Sequence, residues 1–374
     1  MKICHIVPSL AERHGGPSKS VRALASHAVA AGAEVDLLAT QIPGESLAPR
    51  ADDHARIRVF PRIFPRWLVR SPELNDHLQE TRYTCIHHHS LWLLSLRYAA
   101  GAAQRRGVPL VISPRGMMSP WAWNHHRWRK RLAEKFVHPD AFQLAAGWHA
   151  TSAEEAFDIH TLGFRQPVCV SPNGVTIPTE SDLAAARGVW EELCPAVRSR
   201  PVALFYSRFH RKKRVRELID LWLGPPRGDW LLLIIGTAED YSPAKLAEEV
   251  ANLGASDRIA VLDGAGRPPP YAVASLFLLP SHSENFGQVI AEALAAGVPP
   301  LVTDTTPWSD LGPNRAGWCV SWNDYGRTLT EALVVPPDDL RAMGRLGRNW
   351  VARDFSWTRA AGLLHGFYRH LAHE

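Results

Sequence analysis

Two glutamates eight residues apart, Glu284 and Glu292, lie in the part of the sequence most suggestive of chemistry. The pattern of residues 279–297 predicts a strand, a polar loop and a helix, with Glu284 in the loop and Glu292 in the helix. A helix N-terminus at the C-terminal end of a strand in an α/β sheet favours a phosphate group. Eight residues of pure helix would set the two side chains about 80° apart, so they need not share a face. A bent path can instead send them to different ends of an extended ligand. The alternative is a surface helix with an exposed Glu292 and an incidental Glu284.

A basic run, bracketed by Arg208 and Lys213, follows the predicted strand 201–206. These cations fall at the same C-terminal edge of the sheet as the glutamates. A diphosphate bound there would need positive charge and N–H donors, which both side chains supply. A solvated charge run is the alternative, and it is the preferred interpretation for the neighbouring Arg211, Lys212 and Arg214.

Three consecutive histidines, His87 to His89, invite a metal interpretation. Strand alternation puts His87 and His89 on one side and His88 on the other, so the three cannot converge on one ion while the run stays extended. The sequence also holds no Asp-x-Asp pair. We therefore expect no metal site and no cofactor.

Short β-rich runs alternate with segments of helical period along the chain, which predicts an α/β fold with parallel sheets of βαβ units. The first half has predicted strands at 2–7, 34–39, 85–87, 109–113, 147–150 and 168–171, and helices at 18–31, 91–106 and 153–162. The second half has predicted strands at 201–206, 230–236, 258–262, 276–279 and 299–303, and helices at 215–222, 244–253 and 288–296.

Turn-forming residues at 171–178, with two prolines around an Asn-Gly pair, separate the two halves. The predicted domains are therefore 1–178 and 179–355. Residues 356–374 are predicted to form an amphipathic helix with Ser356 as its N-cap.

The length of 374 residues suits two domains, and the composition, with 46% hydrophobic and 21% charged residues, is typical of a globular protein. Neither a membrane-spanning stretch nor a signal peptide is evident, so we expect a cytoplasmic protein. The five cysteines are scattered without a C-x-x-C pair, which indicates neither a disulfide framework nor a zinc site. The excess positive charge lies in residues 1–180, at +6, against −1 in residues 181–374.

Two basic segments interleaved with aromatic residues, 62–70 and 125–135, carry most of this excess. Such a mixture suits an anionic membrane surface or a lipid diphosphate acceptor. Nucleic acid is a rival, but the overall pI of about 9.0 is modest and no nucleic-acid-binding module is visible. Solvated helix faces are the other alternative.

The ordered set of motifs resembles the retaining glycosyltransferases of family GT4, also called group 1, which have the GT-B fold. The strongest signal is Ser-Glu-Asn-Phe-Gly at 283–287 with a glutamate eight residues after Glu284 and Ala-Leu-Ala-x-Gly-Val-Pro beyond it. The other matching motifs lie at 15–18, 113–117, 150–152, 172–175, Arg208 with Lys213, and 306–308. The resemblance implies two Rossmann-like, doubly wound domains that face each other across a cleft, with a C-terminal helix that crosses back to the N-terminal domain.

The resemblance also implies roles for particular residues. Arg208 and Lys213 would hold the donor diphosphate, Glu292 the ribose hydroxyls and Glu284 the hydroxyls of the transferred sugar. The other implied contacts are the backbone amides of Asn285, Phe286 and Gly287 near the sugar and phosphate, Gly15 and Gly16 in a loop facing the phosphates from the other domain, and His89 near sugar and acceptor. His87 is expected to be structural. The chain departs from the family in having Arg214 where glycine usually follows the lysine, which puts the local turn in doubt.

The expected activity is transfer of a sugar from a UDP- or GDP-sugar to a hydroxyl of a glycan acceptor, which we expect to be lipid-linked, in cell-surface polysaccharide synthesis. Retention of configuration and independence of metal are implied by the family. Peripheral contact with the inner face of the cell membrane is a further expectation, and nucleic acid is not an expected partner. The alternatives are a nucleotide-sugar epimerase of the same fold and a non-catalytic subunit that binds sugar nucleotides.

Overall fold

The computed structural model describes residues 1–11, 16–42, 44–45, 53–224 and 228–373. The chain forms two compact units: unit 1 comprises residues 1–174 and 356–374, and unit 2 comprises residues 175–355. The division falls in the Pro-Asn-Gly loop, a few residues before the predicted boundary at 178. Each unit encloses its own parallel sheet and its own hydrophobic core.

Unit 1 contains a seven-stranded sheet in the order β3-β2-β1-β4-β5-β6-β7, and all neighbouring strands are parallel. The inner strands are buried along almost their whole length, because helices cover both faces of the sheet. The strands are β1 (Lys2–Val7), β2 (Glu34–Gln41), β3 (Arg56–Pro61), β4 (Cys85–His89), β5 (Leu110–Ser113), β6 (Gly147–Ala150) and β7 (Val168–Val170).

The helices of unit 1 connect these strands. They are α1 (Gly16–Ala30), α2 (Pro72–Glu80), α3 (Leu94–Arg106), α4 (Pro120–Asn124), α5 (Arg127–Leu132) and α6 (Ala153–Thr161). A π-helical turn at Ala133–Val137 extends α5. The last helix of the chain, Trp357–His373, also belongs to this unit, and we label it α13.

Ser356 caps the C-terminal helix, as the sequence predicts: its hydroxyl accepts a hydrogen bond of 3.2 Å from the backbone N–H of Arg359. The apolar face of α13, with Trp357, Leu364 and Tyr368, joins the core that β1, β2 and α1 form. The C-terminal helix therefore closes one face of the unit 1 sheet.

Unit 2 contains a six-stranded parallel sheet in the order β10-β9-β8-β11-β12-β13. Its strands are β8 (Val202–Tyr206), β9 (Leu231–Gly236), β10 (Ile259–Asp263), β11 (Leu276–Leu279), β12 (Pro300–Thr303) and β13 (Trp318–Val320). Its helices are α7 (Glu180–Leu193), α8 (Val215–Leu223), α9 (Pro243–Asn252), α10 (Gln288–Ala295), α11 (Trp322–Leu333) and α12 (Pro337–Asp354).

Helix α12 lies directly against the end of α10, the helix that carries Glu292. The approach is so close that a Cβ on Gly344 would overlap the carbonyl oxygen of Gly297, and one on Gly347 would meet Leu294. Glycine in α12 therefore fixes how α10 sits on the sheet.

Most elements named from the sequence are present within a few residues of their predicted ends. Two edge strands, β3 and β13, were not predicted from the sequence. Nor were six helices, α2, α4, α5, α7, α11 and α12. Strand β3 alternates arginine with apolar residues, and β13 has only three residues, so neither gives the apolar run that marks a central strand. Among the described residues, no helix combines the length and apolar character that crossing a bilayer requires.

Candidate functional site

Each sheet has one position where the strand order reverses, between β1 and β4 in unit 1 and between β8 and β11 in unit 2. The loops after two such strands run in opposite directions and leave a crevice, which is where doubly wound sheets bind ligands. In unit 2 the loop after β8 carries Arg208 and Lys213, and the loop after β11 carries Glu284. The topology thus brings the predicted cations and the predicted glutamate to one crevice.

Backbone hydrogen bonds hold these two loops together. The residues 211–213 form a single 3-10 turn, and the carbonyl oxygen of Lys212 accepts a bond of 2.8 Å from the backbone N–H of His282. The N–H of Glu284 in turn donates to the carbonyl oxygen of Thr305 at 3.2 Å. The position of Lys213 relative to Glu284 is therefore set by main-chain contacts.

The turn after Lys213 is formed even though Arg214 stands where the family usually has glycine. Arg214 adopts the left-handed conformation that glycine usually supplies, with φ of 53° and ψ of 38°. A non-glycine residue is strained there, so its side chain must contribute compensating contacts. The guanidinium lies 4.4 Å from the ring centre of Trp322, and its Nε donates to His282 Nε2 at 3.2 Å. Arg214 therefore ties α11 and the β11 loop to the turn that presents Lys213.

Lys213 and Glu284 form an ion pair that is largely shielded from solvent, with exposed fractions of 13% and 12% for their side chains. The same carboxylate oxygen accepts a hydrogen bond of 2.6 Å from the hydroxyl of Ser281. Burial by itself would raise the pKa of Glu284, but Lys213, together with the Ser281 hydrogen bond, holds that pKa below its usual value. The site thus presents an ionised carboxylate and an ammonium group in direct contact.

The first turn of α10 begins at Gly287, which has φ of +75°. The positive φ favours glycine, and a Cβ at this position would also lie 2.8 Å from Ile290 Cδ1, the end of a side chain that would have to shift. The carbonyl oxygen of Phe286 accepts a hydrogen bond of 2.5 Å from Trp308 Nε1. In a trans peptide the N–H of Gly287 points away from that carbonyl, so Trp308 fixes the orientation of this amide. Asn285, the remaining predicted backbone contact, precedes this turn in the same loop.

Glu292 lies on α10, and one of its oxygens, Oε2, accepts a hydrogen bond of 3.0 Å from the hydroxyl of Tyr271. Glu292 is thus held by a different partner from that of Glu284. That the two glutamates reach different ends of an extended ligand stays a prediction.

Arg208 forms its ion pair with Glu239, at 2.9 Å, and its side chain is 54% exposed. Among the unit 2 residues predicted from the sequence, Lys213 and Glu284 are in contact, whereas Arg208 and Glu292 pair with neighbours that the sequence analysis did not name. An exposed arginine on a loop can turn toward an anion at little cost, since surface ion pairs contribute only about 0–1 kcal/mol.

The unit 1 residues with predicted roles lie at the corresponding sheet edge. His89 ends β4 and is buried. Gly16 is the first residue of α1 and is exposed, and a Cβ added to it would meet no described atom within 4 Å. Gly15 lies outside the described residues.

Both ring nitrogens of His89 have hydrogen-bond partners. Arg115 Nη2 lies 3.1 Å from Nδ1, and His5 Nδ1 lies 2.9 Å from Nε2. Since a guanidinium can only donate, Nδ1 of His89 accepts, and the neutral ring donates from Nε2 to His5. Burial, with the Arg115 charge as a further cause, lowers the pKa of His5 to about 3, and burial lowers that of His89 well below its usual value. Both imidazoles are therefore neutral near pH 7.

His87 belongs to a second chain of buried hydrogen bonds, which ends at the carbonyl oxygen of Ser171. That oxygen accepts from His149 Nε2 at 2.9 Å, so His149 Nδ1 accepts from the hydroxyl of Ser113 at 2.7 Å. Ser113 Oγ accepts from His87 Nε2 at 2.7 Å, and His87 Nδ1 accepts from the hydroxyl of Tyr368 at 2.5 Å. Each proton position follows from the carbonyl at the end. This row of hydrogen bonds runs from Tyr368 in the C-terminal helix through side chains of β4, β5 and β6.

The side chains of His5, His87 and His89 have nitrogen atoms within 4.8 Å of one another, a spacing compatible with a metal ion. The predicted alternation holds, because His88 turns to the other side and bonds Ser95 and the carbonyl of Ser90. The third member of the cluster, His5, lies in β1, so the three consecutive histidines of β4 give no sign of it. The lone pairs at Nδ1 of His87 and His89 already accept hydrogen bonds from Tyr368 and Arg115, and the Arg115 charge opposes a cation. These side chains fit a hydrogen-bonded network better than a metal centre.

Tyr368→Phe is expected to destabilise unit 1 by about 1–3 kcal/mol, since it leaves the buried Nδ1 of His87 without a donor. Urea unfolding followed by circular dichroism measures this loss. Tyr325→Phe, which removes a similar buried tyrosine hydrogen bond of 2.9 Å to the Leu301 carbonyl, makes the matching test in unit 2. Equal stability of Tyr368→Phe and the unchanged protein would contradict a stabilising hydrogen bond between Tyr368 and His87.

The sequence analysis missed several residues that shape these sites: Tyr271, Ser281, Trp308, His5 and Arg115. Trp308 and Arg115 lie in motifs that carry the family resemblance. Those motifs marked both positions but did not indicate what either side chain contacts. Ser281 stands three residues before Glu284, close enough for a loop contact. For Tyr271 and His5 the partners are distant in sequence, at 21 and 84 residues, so local patterns carried no signal.

The comparisons with known families cover most of the chain. Residues 15–174 match the family described as a glycosyl transferase 4-like domain, and residues 195–333 match the family described as glycosyl transferases group 1. The second match contains Arg208, Lys213, Glu284 and Glu292, and the first contains His89.

Curated proteins with similar sequences are bacterial glycosyltransferases. A GDP-mannose-dependent alpha-mannosyltransferase of Mycolicibacterium smegmatis is 26% identical over 98% of this chain and 97% of its own length. The lipopolysaccharide core biosynthesis mannosyltransferase LpsB of Rhizobium meliloti is 29% identical over 40% of this chain and 44% of its own length. A D-inositol 3-phosphate glycosyltransferase of Nocardia farcinica is 29% identical over 64% of this chain and 55% of its own length. The chain thus matches about half the length of the latter two proteins.

Solved structures match nearly the whole chain. Sucrose-phosphate synthase from Thermosynechococcus elongatus has a TM-score of 0.76 at 20% identity, with 99% of each chain covered. HepE of Anabaena in complex with UDP-glucose has a TM-score of 0.75 at 18% identity, with 99% of this chain and 100% of that chain covered. These similarities, with the two parallel sheets, establish the GT-B fold. The two family matches, together with the similarity to the mannosyltransferase over nearly the whole chain, show that the chain belongs to the group 1 glycosyltransferases of family GT4 and is a glycosyltransferase.

Proposed function

We propose that the protein transfers a sugar from a UDP- or GDP-sugar to a hydroxyl of a lipid-linked glycan, with retention of the anomeric configuration, in cell-surface polysaccharide synthesis. The observation that carries this proposal is the shielded Lys213–Glu284 pair at the switch point of unit 2, beside the N-terminus of α10. A cation and a helix N-terminus suit the diphosphate of a nucleotide sugar. An ionised carboxylate beside them suits the hydroxyls of the sugar.

In the proposed reaction the bond between the anomeric carbon and the diphosphate oxygen breaks as the acceptor oxygen attacks from the same face. A leaving phosphate oxygen takes the acceptor's proton. Lys213, Arg208 and the amides of α10 would stabilise the charge that develops on the leaving diphosphate. These groups would do so without a metal ion, and unchanged turnover in the presence of EDTA is the expected result.

The nucleotide is proposed as UDP or GDP because the similar proteins point to both. The mycolicibacterial relative is named as GDP-mannose-dependent, and the HepE structure contains UDP-glucose. Thermal-shift measurements against UDP-, GDP- and ADP-sugars test the choice, since a ligand that binds the folded state raises its apparent stability. A shift of several degrees with one nucleotide class is expected, whereas a shift with ADP-sugars alone would overturn this proposal.

The stereochemical proposal is tested with the donor that gives the largest thermal shift. An α-linked donor is expected to give an α-linked product by NMR, and a β-linked product would contradict retention. Incubation of the donor without acceptor provides the control, since conversion to an epimer in that sample would indicate an epimerase.

The two glutamates are expected to have separable roles. Glu292→Ala removes a contact proposed for the ribose, which donor and transition state share, so it should raise the donor KM about tenfold and leave kcat within about threefold. Glu284→Ala removes a contact at the reacting sugar and should lower kcat about a hundredfold or more. Steady-state kinetics with varied donor concentration measures both, and equal changes in the two variants would contradict the assignment. Glu248→Ala, on the surface of α9, is the control.

The lipid-linked acceptor and a peripheral membrane contact are proposed from a surface of unit 1. In residues 120–137, helices α4 and α5 and the following π-helical turn expose Trp121, Trp128 and Phe136. Basic side chains surround these rings, with Arg129 lying 5.2 Å from the Trp128 ring centre and Lys135 lying 5.4 Å from that of Phe136. Exposed aromatic residues among cations suit an anionic lipid surface, where each cation contributes about 1 kcal/mol.

Sedimentation with lipid vesicles tests this surface. The protein is expected to bind vesicles of phosphatidylglycerol more strongly than vesicles of phosphatidylcholine, and Trp128→Ala with Phe136→Ala should weaken that binding about tenfold. Phe157→Ala removes an aromatic side chain that is 70% exposed on the acidic helix α6, so it should leave binding unchanged. Equal sedimentation with the two lipids, or an equal effect of Phe157→Ala, would contradict the proposal.

A further inference from the structure

Tyr271 lies in a short 3-10 helix, Pro270–Val273, that connects β10 to β11 in unit 2. Its side chain is 4% exposed, and its ring packs edge-on against Tyr206 and Phe277 at centroid distances of 5.6 and 5.8 Å. These contacts leave the ring little freedom to rotate away. The position of its hydroxyl is therefore determined by the core of the unit.

The hydroxyl of Tyr271 meets α10 at two points. It lies 3.0 Å from Glu292 Oε2 and 3.1 Å from the carbonyl oxygen of Val289. Both groups can only accept, so the single phenolic proton is shared between them. A tyrosine from outside the helix thus holds both the backbone of the first turn of α10 and the side chain on its second turn.

The direction of the Tyr271–Glu292 bond does not change over the working pH range. Burial, with the negative charge of Glu292 as the next cause, raises the pKa of Tyr271 well above its ordinary value. The same two causes raise the pKa of Tyr206 to about 12. The phenol therefore stays protonated and donates to an ionised carboxylate, an arrangement stronger than a bond between neutral groups.

We infer that Tyr271 is a positioning residue that sets the Glu292 carboxylate for the vicinal hydroxyls of the donor ribose, and thereby sets selectivity for ribonucleotides. This inference rests on the proposed function, in which Glu292 binds the ribose. A glutamate side chain on a helix has three rotatable bonds and loses rotamer freedom when it binds a ligand. A buried donor that fixes one carboxylate oxygen before binding removes part of that loss.

The inference predicts a specific defect in Tyr271→Phe. The variant keeps the ring and its packing but loses the hydroxyl that donates to Glu292 Oε2, so that oxygen is held less firmly. We expect weaker binding of the preferred nucleoside diphosphate, by about threefold to tenfold, with kcat nearly unchanged. The 2′-deoxy nucleotide offers Glu292 only one hydroxyl, so its affinity should fall less. The dissociation constant of the 2′-deoxy nucleotide divided by that of the ribonucleotide should therefore fall toward one.

Isothermal titration of UDP, GDP and their 2′-deoxy forms measures this ratio in the complete protein. Tyr325→Phe is the matched control, since it also removes a buried tyrosine hydrogen bond of unit 2, to Leu301, and should leave the ratio unchanged. An unchanged ratio in Tyr271→Phe, or an equal fall in Tyr325→Phe, would overturn the inference. If the ratio is one in the unchanged protein, or persists in Glu292→Ala, the proposed ribose contact itself fails, which separates the two outcomes.

Discussion

Lys213→Met is expected to lower kcat/KM by about 10²–10³-fold, the range found when one preorganised donor is removed from a site of developing charge. Methionine keeps the length and apolar stem of lysine but removes the ammonium group, so the donor diphosphate loses its most shielded cation. The variant also leaves Glu284 without its ion partner, although Ser281 still donates to it. Loss of one partner of a buried pair costs about 3–5 kcal/mol, so the melting temperature of unit 2 should fall as well.

The loss of activity and the loss of stability in Lys213→Met can be separated by a second substitution. Glu284→Gln in the same chain removes the unpaired charge and should restore most of the stability, whereas kcat/KM should stay low. Arg211→Met is the neighbouring control, because this side chain is 78% exposed and its partner is Asp240. Activity of Lys213→Met within threefold of the unchanged protein would contradict the proposed diphosphate contact.

Unit 1 is expected to unfold in mild acid, well before unit 2. Six histidines of unit 1 are buried and have a pKa below the ordinary 6.5. Burial is the largest cause for each: the pKa is about 3 for His5, His88 and His149, about 4 for His138, and well lowered for His87 and His89. In the folded state these rings are neutral, whereas in the unfolded chain they take up protons below pH 6.5. The stabilisation is therefore complete above pH 6.5 and is lost as the pH falls toward 4.

The size of this effect follows from proton linkage. Each such histidine can contribute a slope of about 1.4 kcal/mol per pH unit, so six together approach about 8 kcal/mol per unit near pH 5. That change is comparable with the whole stability of a domain. Sixteen of the 18 histidines of the chain lie outside residues 175–355, so histidine titration affects unit 2 far less.

Differential scanning calorimetry from pH 8 to pH 4.5 tests the expectation. The transition that Tyr368→Phe shifts identifies unit 1, and its temperature should fall steeply below pH 6.5. His88→Asn should reduce the number of protons that unit 1 takes up on unfolding by about one, which makes the fall with pH less steep. His282→Asn, in unit 2, should leave that number unchanged. A unit 1 transition with the same temperature at pH 7.5 and pH 5 would refute the assignment of neutral buried histidines.

The strand-loop-helix unit around Glu284 could be predicted from the sequence because all its signals are local. An apolar strand, Gly287 and a helix ending near Gly297 follow one another within a few turns of chain. The cations after β8 could be placed in the same way, since parallel strands bring their C-terminal ends to one edge. The doubly wound fold and the alternation of His87 against His88 depended on the same short-range periodicity.

The partners of these residues depend on the tertiary structure. Which cation meets Glu284 is determined by the reversal of strand order between β8 and β11 and by the left-handed conformation of Arg214, whose side chain contacts Trp322 and His282. The donor that holds Glu292 and the tautomers of the buried histidines depend on side chains that are brought together from distant parts of the chain. Periodicity reports which face of an element is buried, but a hydrogen bond requires a particular atom at about 3 Å, and folding alone brings it there.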